Sequence, residues 1–459
     1  MKAEDVVEHI RKQISEGALK AGDRLPTHRD LAWDLKCSIG TVSRGYAELE
    51  RRGITVGQVG RGTYVAPFDP QSNSEAAHLI LPTLQLEAES PEIDLAVNRF
   101  YHSGAQRIIQ KALSSLSLKV PQFGYQSYID SKGRDEDRIV GAEWLTKLTG
   151  PVSMEEVMVT QGAQSALFVT LGALTKPGDA IATECLGYPG IKAAAHALKL
   201  KVIPIAMDKD GMCPTALDQA ISRSHITAIV TVPTNQNPTG VTVPALRRHL
   251  ILDLAKRHDL PVIEDGVYSP FHEGKEPTYR ELDPEQAIYL TSFSKVFNPS
   301  LRVGYIAASS KYMRRLADQM TAMSWMTSPI LLDLANMLVR DGTIARHQAD
   351  LIKSGKRRYA KACEILKPWL PDIQLDNKPF LSHLWVPVPQ ELALTEMVER
   401  ARERDVILIG GDRFAVNRQQ DDHFVRICLM GVPDEERLYQ ALNVVKEILE
   451  EATEGELIS

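Results

Sequence analysis

The sequence predicts an α/β protein: a small helical head over residues 1–66, a large and mostly parallel sheet domain, and a small C-terminal α+β domain. Three observations carry this. Helical apolar spacing followed by a Gly-rich turn fills the first 66 residues. From residue 92, short β-branched runs alternate with longer helical segments, as in a sheet covered on both faces. After a long helical stretch near 310–340 the pattern changes to mixed α and β. The expected divisions are therefore 1–66, a linker at 67–91, a large domain at 92–340 and a small one at 341–459.

At 459 residues the chain is long enough for two or three domains, and its 44% hydrophobic content can bury large cores. Net charge is −6, yet residues 1–66 carry 11 Lys/Arg against 9 Asp/Glu. Overall acidity argues against a protein that coats nucleic acid, while a mildly basic head can still bind it. Five scattered cysteines (37, 185, 213, 363, 428), with no C-x-x-C pair, indicate reduced thiols in the cytoplasm rather than disulfides or a metal site. The start, MKAEDVVEHIRKQI, is unlike a secretory signal, and no apolar run approaches the ~18 residues of a membrane span. "MDKDGM" (207–212) mimics the start of a calcium loop but lacks the later ligands and reads as a hairpin turn.

In the head, Val6, Val7, Ile10 and Ile14 recur at helical spacing, and Gly17 ends that helix. Thr27 is placed to cap a second helix with Leu31, Ala32 and Leu35 inward. A break at Cys37–Ser38 leads to a third, with Val42, Tyr46 and Leu49 on one side. "ITVGQVGRGTYV" reads as two β runs around a Gly-rich turn, a hairpin wing. Two short helices, a tight turn and a wing describe a winged helix-turn-helix. Its outward face is expected to show Ser38, Thr41, Ser43 and Arg44 to base edges, with Arg29 and Arg61 reaching phosphates of double-stranded DNA. A plain three-helix bundle explains the helices but not the wing beside a polar recognition face.

These residues resemble the GntR family of bacterial repressor domains. The family pattern L-P-S/T-x-R-x-L-A, S-x-x-T-V and G-x-G-T-x-V falls on Leu25 to Thr27, Arg29, Leu31-Ala32, Ser38, Thr41-Val42 and Gly60 to Val65. Ile39 stands where many members place an arginine.

In the larger piece, strand-like runs are Val157–Thr160, Ala180–Thr183, Val202–Ile205, Ala228–Val232, Val262–Glu264, Ile288–Ser292 and Val303–Ala308. Polar groups follow several of them, where parallel sheets bind ligands. "VMVTQGAQSAL" is a strand, a Gly turn and a helix start, so the N–H groups of Gly162, Ala163 and Gln164 can cradle a phosphate, although such a turn is also a common cap. Asn237 in "NQNPTG" and Asp265 in "VIEDGVYSP" are each compatible with ordinary turn chemistry. Taken together with "LTSFSKVFNPSLRVGY" they fit a pyridoxal phosphate site. The aldehyde needs a partly neutral amine, which burial of Lys295 favours. The pyridine nitrogen needs a carboxylate, Asp265. The phenolic oxygen needs donors, Asn237 and Tyr268. The phosphate needs Arg302, Ser292 and Ser294, and Tyr188 is placed to stack on the ring.

Over about residues 92–455 the order looks like the class I aminotransferases of the aspartate aminotransferase fold. Their Y-x-x-x-x-G, N-P-T-G, D-x-x-Y, S-x-S-K-x-x-x-P-x-L-R-x-G and late R signatures fall on Tyr128 to Gly133, Asn237 to Gly240, Asp265 to Tyr268, Ser292 to Gly304, and Arg426. The likeness implies that Arg426 holds a substrate α-carboxylate, Tyr128 reaches the phosphate of a neighbouring subunit, and Lys295 shuttles a proton. Asn98 stands where related enzymes usually carry glycine beside that carboxylate, and is expected to contact the ligand.

A GntR-type head joined to an aminotransferase-like domain resembles the MocR-type transcription regulators. That resemblance implies a homodimer whose DNA affinity depends on pyridoxal phosphate or a small amino compound. The alternative is a working aminotransferase that retains the head. A cofactor carrier without DNA binding is a third class.

Overall fold

The computed structural model describes residues 5–7, 9–10, 13, 19, 23–51, 55–58, 62–65, 92–102, 104–118, 125–272, 276–370, 380–416 and 423–454. The expected linker, the end of the first helix at Gly17, and Arg61 lie outside them. Two compact units divide the chain, Met1–His78 and Leu79–Ser459.

In the first unit, residues 5–7 and 9–10 are helical and bury Val6, Val7 and Ile10 completely. Helix α1 (His28–Asp34) starts at Thr27, whose hydroxyl oxygen accepts from the Asp30 N–H at 3.3 Å. Helix α2 (Ile39–Arg51) follows a turn through Lys36, which takes φ 52°. Strands β1 (Thr55–Gln58) and β2 (Gly62–Val65) pair antiparallel as the wing. Leu25, Leu31, Ala32, Val42, Tyr46, Leu49 and Val65 close one small core with the first helix. The helical spacing seen in the sequence is therefore the packing face.

The second unit is built on a seven-stranded sheet. Its strands are β3 (Val157–Thr160), β4 (Ala180–Glu184), β5 (Lys201–Ile205), β6 (Ile226–Thr231), β7 (Val262–Asp265), β8 (Ala287–Ser292) and β9 (Gly304–Ala307), in the order β3-β9-β8-β7-β6-β4-β5. Only β9 runs antiparallel to its neighbours. The continuous apolar runs are explained by burial on both faces: every residue of β3, β4, β7, β8 and β9 is buried. Met207–Asp208 pairs with Gly211–Met212 as the expected hairpin.

Helix α3 (Asp135–Thr149) lies near β3, and helix α4 (Ala163–Leu174) follows that strand. The long helical stretch is two helices, Ser310–Ser324 and α5 (Pro329–Arg340). Pro329 opens the second, since the residue before proline avoids the α region and proline suits a helix start. Arg134 ties α3 to α5, with Asp137 at 2.8 Å and Asp333 at 2.6 Å.

Helix α6 (Thr343–Leu366) leads to a three-stranded antiparallel sheet of β10 (His383–Pro387), β11 (Ile409–Gly410) and β12 (Phe424–Cys428), backed by helix α7 (Glu435–Glu454). Ile93–Asp94 pairs with Val406–Ile407, and Leu95 is fully buried in this smaller core. The segment assigned from the sequence to the larger domain therefore packs first with the smaller one.

Candidate functional site

Strands β3, β4, β6, β7 and β8 point the same way, so the loops after them share one edge of the sheet. Antiparallel β9 begins at that edge. Arg302 consequently arrives beside Gly162: its Nη2 donates to the Gln161 carbonyl at 2.9 Å. Gly162 has φ 91°, and a Cβ there would sit 2.8 Å from that nitrogen, so glycine is required. The first turn of α4 thus opens next to a guanidinium, with Ser165 Oγ buried and without a partner among the described residues. A helix N-terminus beside a guanidinium has the chemistry that suits an anion.

Asp265 ends β7 and is buried. Its Oδ1 accepts a 3.3 Å bond from the Val267 N–H. Burial raises its pKa to about 6, against the pull of the nearby Lys295 charge. Lys295, on the short helix Phe293–Val296 after β8, is half-buried and donates from Nζ to the Asn98 carbonyl. Burial lowers it to about 8; Arg426 pushes the same way, while Cys428 and Asp265 oppose. An amine tuned toward neutrality beside a buried carboxylate is what covalent chemistry with a carbonyl needs.

Arg426 lies on β12 and is 6% exposed, which excludes a strand-edge surface role. Its Nη1 donates to Asn237 Oδ1 at 2.7 Å, its Nη2 to the Ala96 carbonyl, and its guanidinium sits 4.6 Å above the Phe414 ring. Nε is buried and has no partner among the described residues. Asn98 Nδ2 donates to the Tyr268 hydroxyl at 2.9 Å. Burial and the Asp265 charge push Tyr188 up to about 12, so its hydroxyl stays protonated. Ser292 caps the Lys295 helix, accepting from the Ser294 N–H at 3.4 Å.

The structure thus brings together Asn98, Gly162, Ala163, Gln164, Tyr188, Asn237, Asp265, Tyr268, Ser292, Ser294, Lys295, Arg302 and Arg426. Tyr128 is not among them. It is 76% exposed, and its ring lies tilted at 40° to that of Trp325 with centroids 5.3 Å apart. Sequence reasoning missed His383, which is fully buried on β10 and bonded toward Asn98, Ser382 and Gln236. In "LSHLW" nothing separates it from a core histidine.

One expectation in the head needs correction. Thr41 is 6% exposed, and its hydroxyl is 2.9 Å from that of Ser38. Helical periodicity turns it inward beside Val42, so it holds the helix start and does not face DNA. The exposed face is Ser38, Ile39, Gly40, Ser43 and Arg44, with Arg29 exposed on α1.

Residues 90–445 match the aminotransferase class I and II family, and residues 2–65 match the gntR family of bacterial regulatory proteins. The chain therefore belongs to the class I and II aminotransferases, with a GntR-family DNA-binding domain ahead of that fold. This is the MocR-type arrangement. The uncharacterized HTH-type transcriptional regulator YdeF of Bacillus subtilis is 25% identical over 449 residues, 97% of this chain and 93% of that protein. Aromatic-amino-acid aminotransferase 1 of Thermococcus litoralis is 28% identical over 354 residues, 75% of this chain and 83% of that protein. The crystal structure of an archaeal alanine:glyoxylate aminotransferase superposes with TM-score 0.72 at 22% identity, covering 82% of this chain and 94% of that one, and shares the fold.

Pyridoxal phosphate is the cofactor this family implies, and the residues present fit it. The glycine cradle beside Arg302 suits its phosphate. The buried Asp265, which needs a cationic partner, suits its pyridine nitrogen. Among the described residues, no helix is long and apolar enough to cross a membrane.

Proposed function

We propose that this chain is a cytoplasmic transcription regulator whose DNA affinity is set by pyridoxal phosphate, or by an amino compound that reacts with it, at the aminotransferase-like site. The observation that carries the proposal is one chain holding both an exposed polar helix face in its head and a half-buried lysine near a buried aspartate. The full-length similarity to a regulator supports it.

When bound, pyridoxal phosphate supplies an aldehyde and an electron-withdrawing ring. Lys295 would be the amine that holds the aldehyde, and the same amine would be placed to move the proton at the substrate carbon. Asp265 would keep the pyridine nitrogen protonated. Asn237 and Tyr268 would donate to the phenolic oxygen, and Tyr188 would pack against the ring. Arg302, Ser292, Ser294 and the N–H groups of Gly162, Ala163 and Gln164 would hold the phosphate. Arg426 takes the carboxylate of the amino compound, and Asn98 lies beside it. In a homodimer, the exposed Tyr128 reaches the partner's phosphate, and two winged helices address paired half-sites.

A second reading, slow transamination, is favoured by one observation: Asn237 is in place and already bonded to Arg426. Fluorescence anisotropy on the DNA upstream of the chain's own gene tests the proposal, with pyridoxal phosphate and an amino acid panel titrated in. A salt-dependent affinity that shifts with cofactor or amino compound is expected. Turnover at ordinary enzyme rates with no specific DNA binding would overturn it.

A further inference from the structure

We infer that His383 is a positioning residue of this site: it orients the Asn98 amide so that the Tyr268 hydroxyl keeps its proton for the cofactor's phenolic oxygen. The inference rests on the site assignment proposed above and goes beyond it.

The chain of bonds has one direction. His383 Nε2 lies 3.0 Å from the Gln236 carbonyl oxygen, which can only accept, so Nε2 carries the hydrogen. Burial and the neighbouring Arg426 push this imidazole down to about 3, so it stays neutral. Nδ1 is then a bare lone pair. It accepts from the Ser382 hydroxyl at 2.9 Å and from Asn98 Nδ2 at 3.2 Å. The second hydrogen of that amide goes to the Tyr268 oxygen at 2.9 Å.

A turned amide would set Oδ1 against the Nδ1 lone pair and would draw the Tyr268 hydrogen to itself. His383 therefore selects the orientation in which Tyr268 accepts from Asn98 and remains free to donate elsewhere. Burial keeps that hydroxyl protonated. The Asn98 main-chain oxygen meanwhile accepts from Lys295, so one residue touches both the amine and the phenol.

The full-length chain, reconstituted with pyridoxal phosphate, is titrated with acid and base while the absorbance of the bound cofactor is followed. A donor to the ionised phenolic oxygen lowers the titration midpoint, so losing it raises the midpoint. Both His383→Phe and Tyr268→Phe are expected to raise it by about one pH unit. The double variant is expected to match Tyr268→Phe alone, and His383→Gln, which restores an acceptor, to stay near the parent.

An unmoved midpoint in His383→Phe while Tyr268→Phe shifts would overturn the inference and leave the site assignment standing. An unmoved midpoint in Tyr268→Phe would instead remove the site assignment. Nitrogen NMR of histidine-labelled parent protein gives an independent check: His383 is expected neutral, with hydrogen on Nε2, from pH 5 to 9. A hydrogen on Nδ1 would also overturn the inference.

Discussion

The two units place their functional groups in opposite ways. In the aminotransferase-like unit Asp265, Arg426, Asn237 and His383 are buried, and each is hydrogen-bonded inside the protein. In the winged helix Arg29, Ser43 and Arg44 are exposed, and Arg44 Nε donates to the Gly40 carbonyl of its own helix at 3.3 Å. The difference follows from the partners. A reacting amine must be shielded from water to be partly neutral. A DNA reader must keep its donors accessible, because the duplex itself supplies the desolvating surface.

The comparison can be broken most sharply at Lys295. Lys295→Ala is expected to abolish borohydride-reducible attachment of pyridoxal phosphate, read by mass spectrometry, with specific DNA binding retained in its cofactor-free form. Next comes the Arg134 tie. Arg134→Ala leaves Asp137 (0% exposed side chain) and Asp333 (6%) without their cation. It is expected to cost about 3 kcal/mol in denaturant unfolding of the larger unit. Asp265 yields a pH dependence of similar size. Its pKa is raised in the folded state, so its contribution is fully present below about pH 4 and lost as pH rises through about 6. The cofactor-free chain is expected to lose about 3 kcal/mol across that window relative to Asp265→Asn.

Smaller effects belong to the exposed unit. Arg44→Ala is expected to weaken operator binding about tenfold or more in anisotropy, with the melting temperature unchanged. Thr27→Ala, which removes the cap of α1, is expected to cost about 1 kcal/mol in the thermal melt of the head. A large stability loss from Arg44→Ala, or none from Arg134→Ala, would contradict the division between buried and exposed machinery.

The sheet was legible because both faces of its strands are covered. The apolar runs at 157–160 and 288–292 stand out against polar loops, and each lies within a residue of the observed strand. The polar residues after those runs were legible for the same reason, since strand ends are where such a sheet exposes ligand-binding loops. His383 was not legible. It sits inside an apolar strand, and its meaning depends on Asn98, 285 positions away. Thr41 was misplaced because a capping threonine and a base-reading threonine look alike until burial is known.

By itself the sequence determined the order of elements, a winged-helix head ahead of an aminotransferase-like fold, and the ordered set of groups that suits pyridoxal phosphate. Local periodicity and loop chemistry are written residue by residue along the chain. Tertiary structure alone decided which of those groups lose water, which way the Asn98 amide faces, and that Ile93–Leu95 joins the smaller core. Desolvation and hydrogen-bond direction are set by neighbours distant in sequence, so only folding specifies them.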